Sequence, residues 1–155
     1  MTSKFSKRDN LCRLAGFLEG EGCISVYTVR FKSKVNKMTY YHYGPRVTVY
    51  QAYRKGRYHK YFDIFVKYFG GSIRKGSNKK RTYGKKIVYH YSVRSQKAVK
   101  LLKTLLPFLE EKKDRAVLVI RLGKINLSKL ENNKKDSARI EKRKLAEEIK
   151  RLNHI

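Results

Sequence analysis

Glu19 and Glu21 stand two residues apart at the close of the segment Leu14-Ala-Gly-Phe-Leu-Glu-Gly-Glu-Gly22. Leu14, Phe17 and Leu18 recur at i, i+3 and i+4, the spacing of a buried helical face. Gly16 and Gly20 lie four apart on one side, so a second backbone can approach there closely. Gly22 is a natural helix stop. The acidic pair therefore falls at a helix C-terminus, which already carries partial negative charge, and each carboxylate costs roughly 0.3–1 kcal/mol there. Something cationic must offset that cost. A Lys or Arg side chain would do so, and so would a divalent metal held by oxygen ligands.

The rest of the composition indicates what such a site would act on. The 155 residues hold 39 Lys+Arg against 12 Asp+Glu, a formal net charge of +27. An excess of that size says more about partners than about fold, and it points to a polyanion whose phosphates release counterions when neutralised. A membrane surface is the weaker alternative, since no stretch is apolar enough to span and the start of the chain is already polar. Cys12 and Cys23 are the only cysteines and form no CxxC or Cys/His spacing. They exclude a disulfide scaffold or a zinc finger and fit a reducing intracellular compartment, either an archaeal cytoplasm or an organelle. Plentiful Lys and Glu with few Gln, Met and Cys lean towards a thermophile.

The elements that must position the acids can be read in order. Ser6 caps a first helix, with Asp9 completing a capping box, and this helix runs to Gly22. Residues 23–32 alternate as a half-buried strand, with Ile24, Val26 and Thr28 inward and Ser25 and Tyr27 outward. A basic, Tyr-rich connection (Lys32 to Tyr43) leads to Pro45 and a second strand, in which Val47 and Val49 face in and Arg46, Thr48 and Tyr50 face out. Residues 57–69 place Tyr58, Tyr61, Phe62, Phe65 and Phe69 on one helical stripe, which reads as core rather than as a base-stacking platform. Gly70-Gly71 stops that helix. A short strand with Ile73 inward, a basic loop (Lys79 to Lys86) and a fourth strand follow, the last with His90, Ser92 and Arg94 on its outer face. Ser95 is expected to cap a third helix ending near Pro107. A fourth helix, at about 110–125, should bury Val117, Val119, Ile120 and Leu122, and a last amphipathic helix should span about 137–152.

Four strands with helices on one face make an α+β layer pair in a single domain over residues 1–155. Its core covers about 6–125 and a C-terminal helical extension about 126–155. The open sheet face should carry Ser, Tyr, Arg, Thr and His rather than apolar residues.

The nine residues 14–22 resemble the signature of the LAGLIDADG homing endonucleases, with Phe for Leu, Leu for Ile, Glu for Asp, Gly for Ala and Glu for Asp. The element order also resembles that family over about residues 6–125. The resemblance implies an αββαββα fold with a four-stranded antiparallel saddle sheet, plus C-terminal helices, whose open face lies along double-stranded DNA. One motif implies a homodimer, with Gly16 and Gly20 at the close helix contact. It also implies Glu21 and the Gly20 carbonyl as metal ligands, with Glu19 structural.

Gln51 matches a residue that positions active-site water in single-motif relatives, and Lys55 matches a basic residue one turn on. The segment Pro107-Phe-Leu-Glu-Glu-Lys-Lys113 resembles the one that leads to their active-site lysine, which falls on Lys112 or Lys113. Asp114 departs from the pattern, standing where a basic residue is common. The implied function is that of an intron-encoded homing endonuclease, which makes a site-specific double-strand cut in a long pseudo-palindromic target by magnesium-assisted phosphodiester hydrolysis, with Lys112 and Lys55 stabilising transition-state charge. Candidates to reach base edges are Ser25, Tyr27, Arg46, Thr48, Tyr50, Arg74, His90, Ser92 and Arg94. An RNA maturase of the same fold, or a non-cleaving DNA- or RNA-binding protein, is the alternative.

Overall fold

A computed structural model describes residues 6–53, 58–76 and 87–154. Lys55 and the Lys79 to Lys86 loop lie outside the described residues. The first helix, α1 (Lys7–Glu21), opens with the expected capping box: Asp9 N–H donates to the Ser6 hydroxyl, and Ser6 N–H donates back to the Asp9 carboxylate. It passes directly into β1 (Gly22–Lys32), which pairs with β2 (Thr39–Tyr53) in a long antiparallel hairpin. After α2 (Lys60–Phe69), β3 (Ser72–Gly76) and β4 (Ile87–Arg94) complete a four-stranded sheet in the order β1-β2-β4-β3, antiparallel throughout. The helices α3 (Ser95–Leu105), α4 (Lys113–Lys124) and α5 (Asn132–Leu152) follow.

The core lies between one sheet face and the helices. Ile24, Val47, Val49 and Tyr91 meet Leu14 and Leu18 of α1, Phe62 and Phe65 of α2, and Leu101, Leu102 and Leu105 of α3, all fully buried. The aromatic stripe of α2 is core, as its spacing implied. Phe65 stacks on Tyr91 with ring centroids 5.0 Å apart, and the Tyr91 hydroxyl donates to the Gly70 carbonyl at 2.8 Å. Gly70 and Gly71 take φ of 70° and 96°, so the turn needs glycine at both positions.

Several boundaries move. β2 begins at Thr39 and runs through Pro45. The proline is tolerated because it lies just beyond Arg46, the last β2 residue paired with β4, where a missing N–H removes no bond on that side. The fourth helix starts at Lys113 rather than 110, and α5 starts at Asn132 rather than 137. Val117 is 46% exposed, because the buried stripe of α4 runs through Ala116, Val119, Ile120 and Gly123. Ser95 does not cap α3: Arg94 holds the N-cap position, without a side-chain bond, and Ser95 itself takes φ of 57°. Among the described residues no helix is long and apolar enough to cross a membrane.

Candidate active site

The end of α1 is held by a lysine from 90 residues downstream. Lys112 Nζ donates to the carbonyls of Leu18 (2.8 Å), Glu19 and Gly22 (2.7 Å), which occupies all three of its protons. Glu19 returns the contact, accepting from the backbone N–H of Glu110 at 2.8 Å and of Lys112 at 3.2 Å. Burial pulls the Lys112 pKa below the usual lysine value, while the Glu19 carboxylate pulls it back up. The cation required by an acidic helix end is thus supplied by the chain itself.

Glu21 is left over. It is exposed, one residue before Gly22, and makes no ion pair among the described residues. Gly16 and Gly20 are exposed too, and a Cβ built on either would meet nothing within 4 Å. Gly22 is different. A Cβ there would overlap the Leu18 side chain, so the turn from helix to strand requires glycine.

Gln51 approaches the same corner. Gly22 pairs with Val49, and beyond that point β1 has given way to α1, so Gln51 is paired only to Tyr89 of β4. Its Oε1 is buried and accepts no hydrogen bond among the described residues, an orphaned acceptor that a water proton would satisfy. No three Asp, Glu, His or Cys side chains group together among the described residues. One chain therefore offers a single carboxylate, a carbonyl and a water site. That donor set fits a hard, partly hydrated cation shared with phosphate and with a second carboxylate, and does not fit a closed protein cage.

The nine expected base-reading residues share one sheet face. Ser25 pairs with Arg46, Arg46 with Arg94, Thr48 with Ser92, Tyr50 with His90 and His90 with Arg74, and Tyr27 lies two residues from Ser25 on the same side. The arrangement is already tied together: Arg46 Nε donates to Ser25 Oγ at 3.2 Å, the Arg94 guanidinium lies 5.4 Å from the Tyr27 ring centroid, and the Tyr50 and His90 ring centroids are 5.6 Å apart. Two expectations change. Ser25 and Thr48 are buried, Ser25 beside the arginine bonded to it and Thr48 at mid-sheet between Cys23 and Ser92. The face is also not wholly polar. Val29 and Phe31 continue it along the hairpin at 47% and 49% exposure, with Phe31 stacked on Tyr40.

The family model for the LAGLIDADG endonucleases matches residues 14–116, which takes in both the α1 corner and the open face. The chain belongs to the LAGLIDADG endonuclease family. Among solved structures it is similar to the homing endonuclease I-CvuI, crystallised with the I-CreI target in 2 mM Mg, where the DNA is not cleaved; identity is 27%, TM-score 0.67, with 94% of this chain and 82% of that one covered. A second I-CvuI structure, with its own target in 2 mM Ca, matches at 27% identity and TM-score 0.68, covering 95% and 85%. The homing endonuclease I-GzeII, in complex with its DNA target, shares the fold at 17% identity and TM-score 0.64, covering 88% of this chain and 43% of that one. A search of curated protein sequences gives no match.

Within this LAGLIDADG fold, Lys112 reaches the motif helix, while Lys113 is exposed at the start of α4. Sequence reasoning missed two residues that tie α5 to the corner. Arg115 donates to the Leu152 carbonyl at 2.5 Å, and its buried Nε finds no partner among the described residues. Asn153 donates from Nδ2 to the Ile24 carbonyl at 3.1 Å. Spacing offered a hint for Arg115, which lies three residues after Lys112 on one helical turn; nothing local marks Asn153.

Proposed function

We propose that the chain is a homing endonuclease that, as a homodimer, cuts both strands of a long pseudo-palindromic DNA target by magnesium-assisted phosphodiester hydrolysis. The observation that carries this reading is Glu21. It is an exposed carboxylate at a helix end whose charge is already balanced by Lys112, beside a glycine face with open space over it. Structure alone does not require a carboxylate there. Glu21 and the Gly20 carbonyl would hold the cation, with the matching pair from a second copy. When bound, the cation supplies charge neutralisation at the phosphate and a lowered pKa for the attacking water. Gln51 Oε1, buried and without a hydrogen-bond partner among the described residues, would accept a hydrogen bond from that water and so orient it. Lys112 acts by position: with its three protons on carbonyls it fixes the stretch from Leu18 to Gly22, and its charge stands close to the reacting phosphate without a donor to spare.

The direct test is plasmid cleavage on the intron-free form of the gene that hosts this reading frame, with Mg²⁺ and with chelator. Staggered breaks on both strands that need Mg²⁺ are expected. Intact DNA under every divalent metal, with binding retained, would overturn the reading in favour of a non-cleaving binder.

Two further outcomes follow from the same geometry. Gly16→Leu should abolish dimerisation in sedimentation while leaving helix content unchanged, because the side chain meets nothing within one chain and would separate two packed helices. A wild-type protein that stays monomeric on DNA would refute the dimer. Binding should also weaken steeply with salt, with a log–log slope corresponding to on the order of ten phosphates per dimer. A flat dependence would mean that the basic surface is not the binding surface.

A further inference from the structure

Where β4 ends at Arg94, β2 runs on unpaired on that side, and a cavity of about 460 Å³ opens beside it. Tyr27 and His42 of the open sheet face line it, with Ser95 at the start of α3, Asn126 and Ser128 from the turn after α4, and Lys142 of α5. Among the described residues no Asp or Glu lines it. Lys142 is 94% buried by its 6% exposure, yet it has no carboxylate partner among the described residues and donates only to the Ile125 carbonyl, at 3.2 Å. A buried ammonium with one of three protons placed and no counter-charge is an expensive arrangement that an anion would relieve.

The walls supply the remaining donors. α3 has no side-chain cap, so its first turn carries no N-cap side-chain acceptor at the end where a helix favours negative charge. Ser128 donates through both N–H and hydroxyl to Asn126 Oδ1, which leaves the Asn126 amide protons without a partner among the described residues. Ser95, held at φ of 57°, spends its hydroxyl on Tyr27 at 2.9 Å, fixing the tyrosine at the mouth. His42 sits under the charge of Lys142, and burial first and that charge second hold its pKa below the usual histidine value.

Building on the DNA-binding reading, we propose that this cavity takes one phosphodiester group of the DNA backbone on each protomer, fixing the register of the duplex on the sheet. Tyr27, which lines the cavity, belongs to the open face and lies 5.4 Å from the Arg94 guanidinium, so a phosphate held there would belong to a strand that crosses those two residues. Phosphate contacts of this kind set position and carry no sequence information.

The test compares Asn126→Asp with Asn133→Asp. Both add one negative charge to an exposed asparagine, but only the first lies on the cavity, and Asp still accepts from Ser128 so that the turn is kept. Circular dichroism melts establish that both variants fold. Fluorescence anisotropy on duplex DNA across a salt series should show Asn126→Asp at least about tenfold weaker, with a log–log slope shallower by about 1.8 per dimer, or about 0.9 per lost phosphate. Asn133→Asp should stay within about twofold of wild type. Inorganic phosphate should raise the melting temperature of the wild type and not of Asn126→Asp. Equal DNA affinity for the two variants would overturn the proposal, and so would a phosphate effect on melting that Asn126→Asp abolishes while its DNA affinity and salt slope stay at wild type, which would make this a small-anion site. Wild-type cleavage with Mg²⁺ reads the nuclease proposal separately, so the failure of one does not mimic the failure of the other.

Discussion

Glu21→Gln should eliminate strand cleavage and leave DNA binding equal or tighter. The substitution keeps the size of the side chain while deleting the carboxylate at the α1 end that makes no ion pair among the described residues. The loss of activity should far exceed the roughly 10–100-fold typical of residues that only support a ligand. In the proposed dimer the two Glu21 charges would face phosphates when no metal is bound, so removing them should lessen repulsion and help docking. Glu19→Gln is the internal contrast. Glu19 accepts from the N–H groups of Glu110 and Lys112, so its loss should cost about 1–2 kcal/mol of stability and spare cleavage per folded molecule. Gel shifts and plasmid cleavage on the three proteins, with and without Mg²⁺, separate the two roles. Wild-type cleavage by Glu21→Gln would remove the residue on which the proposed mechanism turns.

Lys112→Met should damage stability and activity together. Three carbonyls at the end of α1 lose a charged donor, and the helix loses the cation opposite its negative end. Water reaches part of this corner and recovers some of the bonding, so the expected cost is about 2 kcal/mol in urea denaturation. Cleavage should also be lost under conditions where the variant is fully folded, since Glu21 and the Gly20 carbonyl are no longer fixed. Lys112→Arg should not restore it, because a planar guanidinium cannot aim protons at three carbonyls gathered around one point. Lys113→Met, on an exposed neighbour, should stay within about 0.5 kcal/mol of wild type. Wild-type stability in Lys112→Met would show that the helix end does not depend on it.

What could be read from the chain and what could not divide along sequence distance. The capping box of Ser6 and Asp9, the aromatic stripe of α2 and the alternation of β1, β2 and β4 are written within a few residues, because helix and strand periods act locally. The candidate active site was legible in its acids and glycines for the same reason. The identity of the cation at the end of α1 was not. The acids alone leave both a metal and a basic side chain open for that task, and the lysine that bonds the helix end arrives from across the fold. Asn153, which reaches Ile24 from the far end of α5, is equally invisible to any local pattern. Burial of Ser25 and Thr48 depends on which neighbours flank them in the sheet, and alternation assigns a face without saying how crowded it is. Ser95 is a good capping residue type, but the backbone gives the N-cap position to Arg94 and turns the serine towards Tyr27.

The absence of any loop between α1 and β1 has a mechanical consequence. Gly22 is both the residue that closes the helix, with its N–H on the Leu18 carbonyl, and the first residue of the strand. In a dimer whose seam is α1, the helix is then a lever arm welded to the first strand of the reading surface. A small change in the distance or angle between the two helices would swing both sheets along the duplex by a correlated amount. The seam would therefore act as a ruler for the separation of half-sites. Substituting Gly16 with Ala, which widens the seam without breaking it, should shift preference towards targets with an altered central spacing rather than altered bases.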